Sequence, residues 1–417
     1  MRVLVIGGGG REHAIVRALR LNPKITHLVC APGNGGIADF ATCLPINIDN
    51  DSIVNFALSN AIDFVVVAPE EPLADGLVDA LEAVGIRAFG PRSNAAIIES
   101  SKVFAKNLMQ SYNIPTAGYE VFDDVNTALE YIRGQKAPIV MKADGLAKGK
   151  GVIIAQSLAE AEEAVLSVME QRDFGSSGDR IVVEEFLQGP EVSVLCFTDG
   201  KTIVPMMSAQ DHKRVFDNDL GLNTGGMGAF CPSPKYTPEI ADYCMERIYL
   251  PTMNAMNAEG RTFKGVLYFG LMLTADGPKV IEYNSRFGDP ETQPILMMLK
   301  TDLLDIMEAV ADERLGEIGI EWSDGAACCV VMCSGGYPKT YETGYEIFGL
   351  DNPPEDVFIY HSGTKAADGK FYTNGGRVLG VTALGATLSD ASANAYAAMK
   401  AVSFTDAHFR TDIGTSL

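Results

Sequence analysis

The segment KVIEYNSRFGDPETQP contains two oxygen-bearing side chains, Glu282 and Asn284, two residues apart. Side chains alternate along a β-strand, so this spacing places both on one face. A carboxylate and an amide oxygen without His or Cys beside them are hard ligands, which suit Mg²⁺ or Mn²⁺ with substrate phosphates completing the shell. The alternative is a solvated polar strand face, but Val280 and Ile281 favour a buried strand. We therefore predict a divalent-metal site.

A glycine- and lysine-rich loop joins two predicted strands in IVMKADGLAKGKGVIIA. Lys142 lies on the incoming strand, whereas Lys148 and Lys150 lie on the loop itself. The loop is not a Walker A motif, because the G-x-x-x-x-G-K-[ST] order with a following helix is missing. A plain charged hairpin has no need of these glycines, so we predict that the loop folds over phosphate groups. The residues that would allow close backbone approach are Asp144, Gly145, Gly149 and Gly151.

The segment VVEEFLQGPEVSV combines a predicted strand end with a carboxylate a few residues later. Backbone groups at the end of the strand could pair with the edge of a purine, and Glu191 could accept hydrogen bonds from ribose hydroxyls. Taken alone, a Glu after a Gly-Pro turn is more often a solvated charge. The segment therefore gains meaning only from its neighbours in the chain.

The overall charge limits the ligands that the chain can bind. With 33 Lys+Arg against 54 Asp+Glu, the formal net charge is −21, which argues against a general nucleic-acid or acidic-membrane surface. Small anions could still bind in local cationic clefts. None of the eight cysteines forms a C-x-x-C pair, and no stretch approaches the roughly 18 apolar residues of a membrane helix. We expect reduced core thiols, a cytoplasmic location, no leader segment and no fused partner enzyme.

The pattern of strands and helices divides the chain into units that would position these segments. The first hundred residues alternate strand and helix, which predicts a parallel α/β sheet with ligand loops at its strand ends. One helix over 93–108, a Pro/Gly linker and a lid-sized β–α–β–β–α–β segment follow. A larger, mostly antiparallel unit and a final β-rich segment complete the chain. The predicted ranges are 1–103, 104–120 for the linker, 121–190, 191–324 and 325–417.

Together, these segments and their order resemble the ATP-grasp superfamily, in which ATP lies between two antiparallel sheets. The resemblance implies an N-terminal parallel α/β domain, an ATP-grasp core with a mobile lid, and a C-terminal β-rich domain. It also implies that ATP and Mg²⁺ (or Mn²⁺) bind. Many members carry a third acidic ligand on the preceding strand, but here that strand reads VLYFGLML without a carboxylate. The matching residues are Lys102 and Lys142 for the α- and β-phosphates, Glu184, Glu185, Phe186 and Leu187 for the adenine hinge, Glu191 for ribose, and Glu282 with Asn284 for the metal.

Further motifs are similar to those of one family in this superfamily, the phosphoribosylamine–glycine ligases. The blocks GGGGREHAI, PGNGG, PEEPL, DHKRV, NTGGMGAF, NSRFGDPETQ, SGGYP and GGRVLGVTA occur in the family's order over essentially the whole chain. One departure is DNDLGL, with Leu220 and Leu222, where the family more often has a cationic, proline-containing sequence. The resemblance implies ATP-dependent ligation of glycine to 5-phosphoribosylamine through glycyl phosphate, in purine biosynthesis. We expect small-molecule partners only, and a monomer or weak homo-oligomer.

This chemistry implies roles for further residues. Arg286 would neutralise the glycine carboxylate and then the developing oxyanion, Asp211 would pair with the glycine ammonium, and Lys213 would contact the γ-phosphate. Each of them could instead be an ordinary surface ion pair or a solvated charge. His13 is expected to be a structural helix residue. The glycine pocket would be lined by Thr224, Gly225, Gly226, Met227 and Gly228, and the ribose phosphate would meet Gly8, Gly9, Gly10, Arg11, Gly33, Asn34 and Gly35.

Three other interpretations remain open from the sequence. A dinucleotide-dependent oxidoreductase would explain glycines 7–10 after a strand, but the third glycine of G-x-G-x-x-G falls on Glu12 or His13. Another ATP-grasp ligase would share the lysines and Glu282, but not NTGGMG together with SRFGDPETQ. A non-enzymatic ATP-binding regulator would not release ADP in response to glycine and the amine.

Overall fold

The first hundred residues fold around a five-stranded parallel sheet in the computed structural model, which describes residues 1–146 and 151–415. Its elements are β1 (Arg2–Gly7), α1 (Gly10–Arg20), β2 (His27–Pro32), β3 (Thr42–Cys43), α2 (Asn50–Ser59), β4 (Phe64–Val67), α3 (Glu70–Ala74), α4 (Leu77–Ala83) and β5 (Arg87–Phe89). In space the strands run β3-β2-β1-β4-β5. Val3 and Val5 of β1 share a core with α1, whereas Leu4 and Ile6 share one with α2 and α4. The predicted parallel α/β unit is confirmed, and the loops after β1 and β2 lie side by side at one edge.

The helical segment after β5 differs from the single helix expected over 93–108. It consists of two helices, α5 (Ser93–Ser100) and α6 (Lys102–Ser111). Ser101 separates them because its backbone is extended, with φ −130° and ψ 111°, and its hydroxyl accepts a hydrogen bond from Phe104 N–H. A serine in the middle of an apolar pattern is a good N-cap, so α6 begins afresh at Lys102.

The β–α–β–β–α–β segment forms the small antiparallel unit that its pattern predicts. Its elements are β6 (Tyr119–Phe122), α7 (Val125–Arg133), β7 (Ile139–Ala143), β8 (Val152–Ala155), α8 (Leu158–Val165) with a π-helical turn over Leu166–Glu170, and β9 (Ile181–Glu185). The strands run β6-β9-β7-β8. Ile139 and Met141 point into a core with Ile132 and Val165, so Val140 and Lys142 take the opposite face.

A second antiparallel sheet carries the residues expected to bind the metal. Residues 191–311 contain β10 (Glu191–Thr198), β11 (Ile203–Pro205), β12 (Gln210–Asp211), β13 (Arg214–Phe216), β14 (Leu220–Asn223), β15 (Gly228–Cys231), α9 (Pro238–Cys244), α10 (Leu250–Ala258), β16 (Gly265–Thr274), β17 (Gly277–Asn284), α11 (Thr292–Met298) and α12 (Leu303–Ala311). Four of these strands form a sheet in the order β11-β10-β16-β17. β13 and β14 form a separate hairpin that projects from this unit and exposes Phe216, Leu220 and Leu222.

The C-terminal segment completes a sheet that the preceding unit begins. Its elements are β18 (Ala326–Ser334), β19 (Glu346–Ile347), β20 (Val357–His361), β21 (Thr364–Ala367), β22 (Lys370–Thr373), β23 (Arg377–Gly385), α13 (Leu388–Met399) and β24 (Ala407–His408). One six-stranded sheet runs β12-β15-β18-β23-β20, with β24 also paired to β18. This sheet crosses position 324, where a boundary is predicted, and the five domain ranges stay predictions.

One apolar core joins the first parallel unit, the unit over 191–311 and the C-terminal segment. Ile15 of the first unit, Phe197 and Phe287 of the second and Tyr360 of the C-terminal segment are buried in the same cluster. All eight cysteines are free thiols, and seven of them are buried. Within residues 1–146 and 151–415, no helix combines the length and apolar character needed to cross a bilayer.

Candidate active site

β17 carries both predicted metal ligands on one face. Glu282 and Asn284 flank Tyr283, which is buried on the other side against Phe269. Across the ladder to β16, Glu282 faces Gly270, and the register shifts beside this pair, which marks a β-bulge. A Cβ at residue 270 would lie 3.0 Å from Glu282 Cγ. The position opposite Glu282 therefore supplies space for its carboxylate instead of a further acidic ligand.

Three predicted lysines converge on Glu282. Lys213 Nζ lies 3.4 Å from its carboxylate. The positive charge of Lys213, with those of Lys142 and Lys102, lowers the pKa of Glu282 to about 2 and outweighs the burial that would raise it. The carboxylate is thus ionised at neutral pH beside cations that can also face phosphate groups.

The donor set fits a hard divalent cation. Among the described residues, no three His, Cys, Asp or Glu side chains gather into a group able to hold a metal by themselves. Mg²⁺ is commonly held by one or two protein oxygens, with phosphates and water as the other ligands. Glu282 and Asn284 match that requirement.

Asp144, predicted to lie near the phosphates, fastens the phosphate loop to α6. Its carboxylate accepts hydrogen bonds from Val103 N–H at 3.1 Å and from the Ser101 hydroxyl at 3.0 Å. Arg180 pairs with the same carboxylate. The first turn of α6 and the start of the loop are therefore joined through one side chain.

Lys102 points toward the loop that Asp144 anchors. Its ammonium donates to the Gly145 carbonyl at 3.0 Å, and burial lowers its pKa. At the other end, the Gly151 carbonyl accepts a hydrogen bond from Ala143 N–H. Lys148, Gly149 and Lys150, which the sequence assigns to the phosphates, lie outside the described residues.

The Glu184 side chain, predicted at the adenine hinge, is directed to two lysines. Its carboxylate is buried between Lys106 at 2.9 Å and Lys142 at 3.0 Å. Each carboxylate oxygen thus lies within ion-pair distance of one ammonium, so the Glu184 side chain faces the lysines. The Glu185 carboxylate instead accepts a hydrogen bond from Gly118 N–H at 3.0 Å.

The remaining hinge residues follow the end of β9. Phe186 and Leu187 lie beyond the last ladder pair of that strand, and Leu187 is buried. An open cavity of about 1070 Å³ flanks the hinge, between residues 184–186 and the linker at 113–118. Neither Lys142 nor Glu282 lines this cavity, so the cavity is distinct from the group of lysines around Glu282.

Lys213 joins two of the predicted binding residues. Its ammonium lies 3.2 Å from Glu191 and 3.4 Å from Glu282. Burial disfavours the charged form, but Glu191, Glu282 and Asp211 together raise the pKa of Lys213 well above its usual value. Burial also raises the pKa of Asp211 to about 7; Lys213 opposes this shift and Glu291 adds to it. The predicted ribose, metal and ammonium positions therefore share one electrostatic cluster.

Arg286 is held between two carboxylates. Its Nε lies 3.2 Å from Glu70, and an Nη lies 3.1 Å from Glu99 and 3.3 Å from the Asn284 amide oxygen. Glu99 also accepts two hydrogen bonds from Ser285. The guanidinium predicted to meet the glycine carboxylate is thus preorganised, with its charge partly balanced by the protein.

Arg11 and Arg286 both lie near Glu70, and the contact of Arg11 with the ribose phosphate stays a prediction. The Arg11 Nε pairs with Glu12 at 2.7 Å, one Nη donates to the Phe287 carbonyl at 3.0 Å, and Glu70 lies 3.9 Å away. Arg286 and Arg11 together lower the pKa of Glu70 to about 2 against the effect of burial. Arg11 therefore links the first sheet to the catalytic strand.

The glycine-rich loop over 224–228 is packed against the chain that follows Asn284. Gly226 has φ +112°, and a Cβ there would lie 2.4 Å from Pro290 Cδ, so this position requires glycine. Several backbone groups of the loop are already hydrogen-bonded within the protein. The bonds are Gly225 N–H to Tyr337 Oη, Gly226 N–H to Thr224 Oγ1, Met227 N–H to the His212 carbonyl, and His212 N–H to the Gly228 carbonyl.

The two N-terminal glycine loops touch each other. A Cβ on Gly8 would lie 2.5 Å from the Gly33 carbonyl oxygen. The Asn34 amide donates to the Gly8 carbonyl at 2.9 Å and to the His361 carbonyl at 2.8 Å. Gly35 N–H donates to Thr364. Asn34 thus holds both loops against the C-terminal segment.

A carboxylate occupies the N-terminus of α1. Glu12 accepts a hydrogen bond from Gly9 N–H at 2.6 Å. Dinucleotide-binding folds use this helix end to bind a pyrophosphate. Because Glu12 already fills it with negative charge, the oxidoreductase interpretation loses its main support. His13 is buried beside it and accepts a hydrogen bond from His361 N–H, and burial lowers its pKa to about 3, so it is a neutral structural residue.

The glycine turn before α1 packs against the segment that follows β17. A Cβ on Gly9 would lie 3.5 Å from Asp289 Oδ2, and one on Gly10 would lie 2.5 Å from Gln293 Nε2. Arg377 pairs with Asp289 at 3.0 Å and donates to the Gly225 carbonyl at 2.6 Å. This contact region combines an acid, a cation and glycine backbone.

Sequence reasoning missed several residues that lie around Glu282, Arg286 and the glycine turn before α1. Glu70, Asp289 and Arg377 lie inside blocks that carry the family resemblance, so their motifs contained a signal. Lys106 and Glu99 lie in helical segments that read as ordinary amphipathic pattern. Only the folded chain brings these two beside the strands that they contact.

The chain matches three protein-family models in succession. They are the N domain of phosphoribosylglycinamide synthetase over residues 1–99, its ATP-grasp (A) domain over 100–292, and its C domain over 327–416. The phosphoribosylamine–glycine ligase of Caldanaerobacter subterraneus is 47% identical, covering 99% of each chain. The corresponding ligase of Brucella melitensis is 49% identical, covering 99% of this chain and 97% of the relative.

Solved structures show the same similarity. The crystal structure of phosphoribosylamine–glycine ligase from Thermotoga maritima matches with a TM-score of 0.87 and 33% identity, over 99% of this chain and 100% of that one. A biotin carboxylase from Campylobacter jejuni matches with a TM-score of 0.77 and 14% identity, over 98% and 93%, which indicates a shared fold. The chain belongs to the phosphoribosylglycinamide synthetase family of ATP-grasp ligases.

Proposed function

We propose that this chain joins glycine to 5-phosphoribosylamine with ATP, and forms glycinamide ribonucleotide, ADP and phosphate. Family membership over the whole chain supports the reaction. The observation that carries the assignment of the site is the convergence of Lys102, Lys142 and Lys213 on Glu282. That cluster suits a metal-bound triphosphate, because phosphoryl transfer depends mainly on positioning and neutralisation of charge.

The ATP site uses one strand and three cations. Glu282 and Asn284 would hold Mg²⁺ or Mn²⁺, which when bound would neutralise phosphate charge. Lys102 and Lys142 are assigned to the α- and β-phosphates and Lys213 to the γ-phosphate. The hinge after β9 would take the adenine, and Glu191 the ribose hydroxyls.

Glycine would lie between Asp211 and Arg286, which suit its ammonium and carboxylate groups. A carboxylate oxygen attacks the γ-phosphorus, the bond to ADP breaks, and glycyl phosphate forms. The amine nitrogen of phosphoribosylamine then attacks the carbonyl carbon, phosphate leaves, and the amine loses a proton. Arg286 would stabilise the oxyanion in this second step.

The ribosyl amine would bind beside Gly9–Gly10 and Asp289. Asp289 can accept hydrogen bonds from ribose hydroxyls, and Arg377 can face the phosphate group. Arg377 also donates a hydrogen bond to the Gly225 carbonyl, so it connects the proposed ribosyl position to the loop beside Lys213.

A reducing cytoplasmic setting is part of the proposal and is supported by the eight free cysteines. The proposed partners are small molecules, with a monomer or a weak homo-oligomer as the assembly.

The test is transfer of ¹⁸O from the glycine carboxylate. Purified protein receives ATP, Mg²⁺, 5-phosphoribosylamine and glycine labelled with ¹⁸O in its carboxylate. The acyl-phosphate route requires ADP formation that depends on both glycine and the amine, and one ¹⁸O in the released phosphate. Alanine in place of glycine and the variant E282Q are controls that should give little ADP. Unlabelled phosphate, or ADP release without glycine, would contradict the proposal.

A further inference from the structure

Lys106 lies in a closed circuit of ion pairs and hydrogen bonds beside the proposed adenine hinge. Its ammonium contacts Glu184 at 2.9 Å and the Thr116 hydroxyl at 2.8 Å. Thr116 donates onward to the Val280 carbonyl at 2.7 Å. Lys142 closes the circuit, because it contacts both Glu184 at 3.0 Å and the Ile281 carbonyl at 2.6 Å. The circuit connects α6, the linker, β17, β7 and β9.

The charges in this circuit do not cancel. Two buried ammonium groups, Lys106 and Lys142, share the single carboxylate of Glu184, and all three side chains are less than a tenth exposed. One positive charge therefore remains, on the face where Lys142 and Lys102 both act on Glu282. Without Lys106, Glu184 would pair with Lys142 alone, and the circuit would become neutral.

We propose that Lys106 is a positioning residue that keeps Lys142 available to the phosphates of ATP, by sharing the carboxylate of Glu184. This inference rests on the proposed ATP site and adds a residue that need not touch the nucleotide. Lys106 acts through Glu184, and it also fixes the linker, through Thr116, to the strand that carries the metal ligands.

The surroundings of Lys106 bring its pKa into a pH range in which ATP binding can be measured. Burial lowers its pKa to about 8; Glu184 and Glu185 on β9 raise the pKa, and Lys142 on β7 lowers it. The centroid of the Tyr119 ring, on β6, lies 5.5 Å from the Lys106 ammonium. Lys106 is charged below this pKa, so affinity for Mg·ATP should fall as pH rises through about 8.

The experiment measures the dissociation constant of Mg·ATP by calorimetry, the KM for ATP and kcat, for K106M, E184Q and the double variant. K106M should weaken Mg·ATP binding about tenfold, with a smaller change in kcat. The double variant regains the single net charge, so it should recover most of the affinity. K235M, which removes an exposed lysine outside the circuit, should bind as the wild type does.

The pH profile separates positioning from a merely structural role. The fall in affinity near pH 8 should be present in the wild type and absent in both E184Q and the double variant. If K106M does not fold, these profiles still decide. Equal affinity in wild type and K106M, no recovery in the double variant, or no inflection in the wild type would overturn the inference. A wild type that binds no Mg·ATP would overturn the proposed function as well.

Discussion

The Glu99 carboxylate accepts two hydrogen bonds from Ser285, one from its backbone N–H and one from its hydroxyl, each of 2.7 Å. Ser285 directly follows Asn284, the proposed metal ligand, and precedes Arg286, which Glu99 also pairs with. A single side chain of α5 thus fixes the chain between the metal position and the proposed oxyanion contact. A residue of the first hundred therefore contributes to the geometry of the proposed reaction centre.

Replacement of Glu99 with Gln should lower kcat about tenfold or more, because a hydrogen bond to a charged group contributes about 1.5–3 kcal/mol. The amide keeps the shape but no longer balances the charge of Arg286. Affinity for Mg·ATP should change little. The matched control is E82Q, since Glu82 pairs with the largely exposed Arg92 and its contribution should be small. Equal kcat in E99Q and wild type would contradict this role.

Asp211 should make glycine binding depend on pH. Its pKa of about 7 means that the carboxyl is partly protonated near neutrality, and a protonated carboxyl cannot pair with an ammonium. The KM for glycine should therefore fall as pH rises from about 6 to about 8. In D211N the KM should be higher and this inflection should vanish. Steady-state kinetics at saturating ATP measure both, and an unchanged profile in D211N would refute the assignment.

A methyl group at residue 270 should disturb the metal site specifically. In G270A the new Cβ would lie 3.0 Å from Glu282 Cγ and 3.3 Å from Ile281 Cγ1, so the ligand strand must shift slightly. We expect the Mg²⁺ concentration for half-maximal activity to rise about threefold to tenfold, from about 1 kcal/mol of overpacking. G319A, which places its methyl in open space, is the control. An unaltered Mg²⁺ requirement would show that Glu282 does not need this room.

Arg377 should affect the ribosyl substrate more than ATP. R377M removes the partner of Asp289 and the donor to the Gly225 carbonyl, so the KM for 5-phosphoribosylamine should rise at least about tenfold. The KM for ATP should stay within about twofold, since Arg377 contacts Asp289 and the Gly225 carbonyl and not the lysines proposed for the phosphates. R133M, at an exposed surface pair, is the matched control. A larger effect on ATP than on the amine would move the phosphate site elsewhere.

The alternation of residues on β17 and the β–α–β–β–α–β unit could be predicted because both depend on local periodicity. Glu282, Asn284 and Lys142 fall on the faces that their spacing indicates. The split of the helical segment at Ser101 was not predicted, because the apolar pattern continues across it and only the serine hydroxyl marks the new N-terminus.

The carboxylate partners of Arg286 and Lys106 could not be predicted from spacing. Glu99 meets Arg286, and Lys106 meets Glu184, only after sheets from distant parts of the chain pack together. Likewise, the contacts of Arg11 with Glu70 and Phe287 could not be predicted from its position after the glycine turn. Long-range ion pairs of this kind leave no periodic trace in sequence.

The strand that follows the substrate loop, β15, is zipped along β18 from Gly228 to Cys231. If the polypeptide were divided near Asp324, β15 and β18 would lie on different fragments. Each fragment would then expose an unpaired strand edge, and such edges pair with other strands. The halves should be insoluble when expressed separately and regain solubility when co-expressed. A designer who wishes to permute or split this scaffold should therefore choose an exposed turn, such as that at Asp368–Gly369, whose glycine has open space around it.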